Sequence, residues 1–199
     1  MGAAYSLPMQ HTRHMPVVEV ILVRVDWDRT AIQLGRLPGR WHTLHLGPEP
    51  GYPFGRKGAE LLAAWQQVQM SRQEAGMVLL DGDVAIDPVD YRAMMACITS
   101  DPEAVWTAPA RLWPRSTQYP GGWYWAHHRG EASQDECDNP TVFSFCFTYL
   151  PRRLLTACRQ AGMAKWTFPT CDSQVTQVAA RERIKVGVVR GASPKHLHY

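Results

Sequence analysis

Cysteine is sparse in this chain and shows no pairing pattern: Cys97, Cys137, Cys146, Cys158 and Cys171 are odd in number and form no CxxC. Such a set excludes a disulfide framework and a structural zinc site, and leaves reduced thiols as the simplest state. Also missing is any apolar window of the roughly 18 to 20 residues that a membrane span requires, and the N-terminus carries no apolar signal core. The expected location is therefore cytoplasmic. No run of basic residues occurs. The formal charge is only +3, and the basic side chains are dispersed, which admits an anionic ligand without demanding a nucleic acid. Internal repeats and low-complexity segments are absent as well.

What remains is the composition of a folded protein. At 199 residues there is room for one substantial domain with a real hydrophobic core, and two full domains do not fit comfortably. Residues 1–16 have no helical or strand period and read as a flexible N-terminal arm, leaving 17–199 as the domain. Eight tryptophans are more than core packing accounts for, since several stand in polar surroundings. Exposed aromatics of that kind stack on sugars, bases or partner proteins.

Along the chain, strands and helices alternate. Residues 17–25 are long and β-branched and predict a buried first strand with the polar exit Asp26-Trp27-Asp28-Arg29. Trp41–Leu46 predicts a short second strand ending at Gly47-Pro48. Gly58–Met70 is rich in helix formers with an apolar face at three- and four-residue steps. After the apolar run Met77–Leu80, a helix is expected over Pro88–Ser100, with the proline in its first turn. Val105–Leu112 predicts a strand interrupted by Pro109, Thr141–Tyr149 another, Pro151 opens a helix to about Ala161, and Asp172–Arg183 predicts one more. Ile184–Arg190 closes the pattern as a short strand. This order implies an α/β sandwich with a mostly parallel central sheet.

The segment Gly76-Met-Val-Leu-Leu-Asp-Gly-Asp-Val-Ala-Ile-Asp-Pro88 carries the chemistry. A continuous apolar run suits a strand covered on both faces, and it ends abruptly in Asp81 and Asp83 with one glycine between them. Two carboxylates at a strand exit suit a hard divalent cation or a phosphate-bearing ligand. The same dipeptide Asp81-Gly82 also suits a plain turn.

Taken with the order of the flanking elements, this motif resembles the GT-A fold nucleotide-sugar glycosyltransferases, family 2-like group. Val18–Asp26 resembles their first strand, Gly55–Leu62 the helix start before the metal strand, and Met77–Pro88 the strand with its DxD motif. Cys171-Asp-Ser-Gln174 is placed like the family's acidic residue at the start of a late helix, and His196-Leu-His198 resembles its metal-binding histidine. The resemblance spans about residues 17 to 198. It implies a single-domain, GT-A-like (Rossmann-like) sandwich, a nucleotide-sugar donor with a UDP sugar first among candidates, and Mn²⁺ or Mg²⁺ as cofactor. The metal ligands implied are Asp83, with Asp81 beside it, and His198 or His196. Asp172 is the candidate general base, and equally a helix N-cap. Asp26 and Arg24 are candidates for the nucleotide and Arg56 and Lys57 for the diphosphate, or else solvated surface charges.

The expected reaction transfers a sugar to an acceptor hydroxyl on a saccharide or on a base of DNA or RNA. Residues 113–125, with Trp113, Tyr119, Trp123 and Tyr124 around Gly121-Gly122, suit acceptor stacking beneath a movable lid, or packing over the sheet. Two other classes compete. In a haloacid-dehalogenase-like phosphohydrolase Asp81 is the nucleophile, but Ala85 stands where threonine or valine is expected. A non-catalytic nucleic-acid-binding module is disfavoured because Asp81 and Asp83 repel phosphate unless a cation intervenes.

Overall fold

The computed structural model describes residues 20–27, 41–46, 75–82, 84–108, 110–113, 123–124, 145–166 and 171–197, with the backbone alone for most of the strand residues outside 75–108 and 145–188. The first described residue is Val20, so the arm at 1–16 lies outside this set, as does the helix expected at Gly58–Met70. Within it the architecture is mixed α/β. The strands are β1 (Val20–Trp27), β2 (Trp41–Leu46), β3 (Gly76–Asp81), β4 (Val84–Ala85), β5 (Val105–Thr107), β6 (Ala110–Trp113), β7 (Trp123–Tyr124), β8 (Phe147–Pro151), β9 (Val186–Val188) and β10 (Lys195–Leu197). The helices are α1 (Pro88–Ser100), α2 (Arg152–Gln160) and α3 (Cys171–Arg181), with a 3₁₀ turn at Met163–Lys165.

Two sheets form. The larger runs β2-β1-β3-β8-β5-β9, and the smaller β4-β10-β6-β7. The mostly parallel sheet expected from the alternation is met only in part. β1 is parallel to β2 and to β3, and β5 to β9, but β8 runs antiparallel to both its neighbours. In the smaller sheet β10 is parallel to β6, while β4–β10 and β6–β7 are antiparallel. The reason lies in how the chain re-enters. β5 leaves the large sheet at Thr107 and continues into the small one, and β8 comes back beside the ends of β3 and β5, pairing Phe147 with Leu80 and Thr148 with Thr107. A strand that returns at the edge where the chain left must run the other way.

In the sequence Pro109 falls between β5 and β6. A proline offers no N–H to a ladder, and the single strand expected over Val105–Leu112 is accordingly two, in different sheets. Ala108 N–H still donates to the Phe147 carbonyl at 3.0 Å, and Val189 N–H to that of Thr107 at 2.9 Å.

β3 is the central strand, and its alternation divides the core. Met77 and Leu79 join Leu154, Leu155, Cys158, Val175 and Val178 on the α2–α3 side, while Val78 and Leu80 join Met94 and Ile98 of α1. Period-two geometry makes this unavoidable once both faces are covered. Gly76 begins the strand because a Cβ there would run into the Leu150 carbonyl oxygen and the Tyr149 ring. Between β5 and β8 the buried Thr148 and Thr107 hydroxyls bond at 2.8 Å, so a polar pair crosses the sheet with a partner for each oxygen.

α1 starts and stops where the sequence signals indicate. Asp87 caps it and Pro88 fills the first helical position, where its missing N–H costs nothing. α2 follows Pro151 directly, and its first N–H, from Arg152, donates to the Ala75 carbonyl at 2.7 Å. It ends near Gly162, whose φ of 87° is a conformation glycine adopts without steric cost.

Candidate functional site

The parallel pairing of β1 with β3 puts Val25 beside Asp81. β2 flanks β1 on its other side, so the chain leaves β1 in one direction and returns in the opposite one. Ligands of open α/β sheets bind outside the carboxyl ends of strands at such a reversal. Asp26, one residue beyond Val25, lies at that end of β1 beside His45 of β2, and Arg24 pairs with Leu80 further back. These are backbone placements.

Asp81 closes β3 and is 2% exposed. By alternation it shares the α2–α3 face with Met77 and Leu79. Its N–H donates to the Cys146 carbonyl at 3.1 Å. The residue before, Phe145, donates its own N–H to Asp172 Oδ2 at 3.2 Å. A single dipeptide, Phe145–Cys146, thus links the main chain of Asp81 to the carboxylate of Asp172. Both of its residues are buried.

Asp172 is 5% exposed and sits in the first turn of α3. A carboxylate there is favoured by the helix dipole. It is the second residue of the helix, its Oδ2 reaches a loop residue far away in sequence, and the Thr176 hydroxyl donates to its carbonyl at 2.9 Å in the next turn. Two turn-mates complete the start of α3. Cys171 is wholly buried in the α2–α3 core, and Gln174 has a buried Oε1 that meets no donor among the described residues.

The small sheet approaches from the other side. β4 begins immediately after the DxD segment, and β10 pairs with it antiparallel, His196 opposite Val84 and Lys195 opposite Ala85. The C-terminal residues, which carry only a weak local signal for structure, therefore form a strand beside the metal-candidate segment. β10 also pairs with β6, Leu197 opposite Trp113, and β6 with β7, Arg111 opposite Trp123 and Ala110 opposite Tyr124. Three of the aromatic residues singled out in 113–125 thereby belong to the same sheet as His196. Asp83, His198, Arg56, Lys57 and Tyr119 lie outside the described residues.

Among the described residues no group of three or more His, Cys, Asp and Glu side chains is gathered around one point. Asp81 on β3 and His196 on the strand paired to β4 are candidate ligands by residue type. Burial, opposed by the charge of Arg181, pushes the Cys158 thiol up to about 12, and burial likewise raises Tyr149, whose hydroxyl donates to the Pro102 carbonyl. A thiol so shifted stays protonated at neutral pH.

Sequence reasoning named Asp81, Asp172 and the histidine segment as candidates and did not name Phe145, Cys146 or Asp90. The first two act through main-chain groups, which leave no residue-type signature. Asp90 shows one signal, standing three residues after the N-cap, where a carboxylate completes a capping box.

No protein-family model matches this sequence, and no curated protein sequence matches it. Solved structures do resemble it. The chain is similar to A197 from STIV, with a TM-score of 0.55 and 10% identity over 92% of this chain and 87% of that one. A second similar structure is a glycosyltransferase involved in the glycosylation of the major capsid of PBCV-1, with a TM-score of 0.41 and 13% identity over 89% of this chain and 92% of that one. The likeness to A197 is one of fold alone. No helix among the described residues is long and apolar enough to cross a membrane.

Proposed function

We propose that this chain is a metal-dependent, GT-A-like glycosyltransferase that moves a sugar from a nucleotide-sugar donor to an acceptor hydroxyl. The observation that carries this reading is the joining of Asp81 and Asp172, both buried, through the Phe145–Cys146 dipeptide at the carboxyl edge of the sheet. Two buried carboxylates in one region concentrate negative charge, which a divalent cation offsets.

Asp81 and Asp83, with His196 or His198, would hold Mn²⁺ or Mg²⁺, and a bound ion supplies charge stabilisation to a departing diphosphate. Asp26 and Arg24 at the end of β1 would meet the nucleoside, and Arg56 and Lys57 the phosphates. Asp172 is the general base. Its Oδ2 accepts from Phe145, which fixes the carboxylate's orientation. As the acceptor oxygen bonds to the anomeric carbon, its proton passes to the Asp172 carboxylate and the nucleoside diphosphate leaves with the bonding pair. A single base of this kind suits inversion. Trp113, Trp123 and Tyr124 would stack on the acceptor, a saccharide or a nucleic-acid base.

Thermal shift with nucleoside diphosphates tests the donor half. UDP with Mn²⁺ at about 100 times its Kd should raise Tm by about 5–10 °C, and EDTA should abolish the shift. No shift with any nucleoside diphosphate plus metal would count against a nucleotide-sugar enzyme. Phosphate release from simple esters that is lost in Asp81→Asn would instead favour the phosphohydrolase.

A further inference from the structure

We infer that Asp90 is a positioning residue, which tethers the histidine-bearing strand β10 to the DxD segment. The proposal rests on reading that segment as a cation site. Asp90 is 5% exposed, in the first turn of α1. A capping box needs one of its oxygens, and Oδ2 supplies it, accepting from the Asp87 N–H at 3.0 Å. The other oxygen has a different employment. Oδ1 accepts the Ser193 N–H at 2.6 Å, across 103 positions of sequence.

The consequence follows from chain order. Ala85 ends β4, Asp87 caps α1, and Asp90 lies one turn in. Ser193 stands two residues before β10, whose Lys195 and His196 pair back onto Ala85 and Val84. β4, the helix start, Asp90, Ser193 and β10 therefore close a small circuit, in which the Asp90 carboxylate joins the helix start to the segment before β10. Val189 and Ala192, just upstream, are buried in the α1-side core. β10 has only three residues and meets β4 at two of them, and since short ladders fray the Asp90–Ser193 bond adds a fixed point to the register that β4 and β6 set.

Asp90 also differs from an ordinary cap residue at this position. Glutamate or glutamine is the usual partner in a capping box. The shorter aspartate keeps its carboxylate close to the helix start, where both N–H groups reach it.

Hydrogen exchange and Mn²⁺ titration on the full chain test this, with Asp87→Ala as the control. That control removes the acceptor for the Val89 and Asp90 N–H groups and leaves Ser193 bonded. Asp90→Ala should speed amide exchange at Lys195–Leu197 at least 10-fold and weaken binding of Mn²⁺ alone, read by EPR, at least 10-fold. Asp87→Ala should change neither by more than twofold. Asp90→Asn, which keeps the size and offers one acceptor oxygen, should fall between and covers the case in which the alanine variant does not fold.

Unchanged exchange at Lys195–Leu197 in both Asp90 variants would overturn the tether. Faster exchange with unaltered Mn²⁺ affinity would overturn its role at the cation site. Faster exchange in a protein whose wild type binds no Mn²⁺ would support the tether while defeating the cation reading on which its function rests.

Discussion

Two pairs of aspartates invite comparison, Asp87 with Asp90 at the start of α1 and Asp81 with Asp172 at the carboxyl edge of the large sheet. Around the first pair, four main-chain N–H groups, from Asp87, Val89, Asp90 and Ser193, donate to the carboxylates. Those side chains are engaged in holding the backbone. At the second pair the relation is different. The Asp81 N–H donates to the Cys146 carbonyl, and Asp172 Oδ2 accepts from the Phe145 N–H, so this pair is joined to a buried loop and not to a helix start. Residue type is the same in all four. What differs is where each pair sits, one at a helix start and one beside the Phe145–Cys146 loop at the end of β3.

The largest expected effect tests the second pair at Asp172. In Asp172→Asn the amide oxygen still accepts the Phe145 N–H, so the fold is retained and Tm stays within a few degrees. The base is lost, and kcat should fall about 10²–10⁴-fold with donor affinity unchanged. Full activity in a correctly folded Asp172→Asn protein would reduce this residue to an anchor for the loop before β8. Next in size, Asp81→Asn should lower metal-dependent transfer by roughly 10²–10³-fold, the scale on which removing one electrostatic stabiliser acts. It should also remove the Mn²⁺-dependent part of the thermal shift, which an anchoring role at Asp172 would leave in place.

The first pair should answer with stability instead. Asp87→Ala deletes a cap that accepts from Val89 at 2.6 Å and Asp90 at 3.0 Å, a loss worth about 1 kcal/mol, or about 2–4 °C in Tm for a chain of this size. Turnover should remain within twofold of wild type. Urea denaturation alongside a transfer assay reads both quantities, and a fall in kcat/KM as deep as that of Asp81→Asn would erase the distinction between the pairs.

Which parts of this were legible in the sequence follows the range of the interactions. α1 is found over the expected Pro88–Ser100, because its cap, its proline and its first turn lie within four consecutive residues. β3 is legible for a similar reason, its apolar run being local and complete. β8 was expected at Thr141–Tyr149 and is found at Phe147–Pro151; its pairing with β3 and β5, not its own composition, sets its position. The first strand, expected over residues 17–25, is found over Val20–Trp27, with residues 17–19 outside the described set. β10 was least legible, as three residues whose register comes from β4 and β6. Of the candidate site, Asp81 and Asp172 could be named in advance as candidates by residue type. The dipeptide joining them could not, since Phe145 and Cys146 contribute N–H and C=O groups that every residue possesses.

The smallest expected effect gives the sharpest test of whether the edge around Asp172 meets a ligand. Gln174 Oε1 is buried with no donor among the described residues. A polar atom kept in that state purely for packing is better replaced by an apolar group of the same shape, which is near neutral or stabilising. Gln174→Met should therefore leave stability unchanged or raise it by up to about 1 kcal/mol. If a ligand hydroxyl donates to Oε1 during transfer, the same variant should lose turnover several-fold, with KM for the acceptor rising and donor binding untouched. Stability and activity then move in opposite directions at one residue. A gain in stability with unchanged kcat/KM for every acceptor tried would assign Gln174 to the core and confine the chemistry to the two carboxylates.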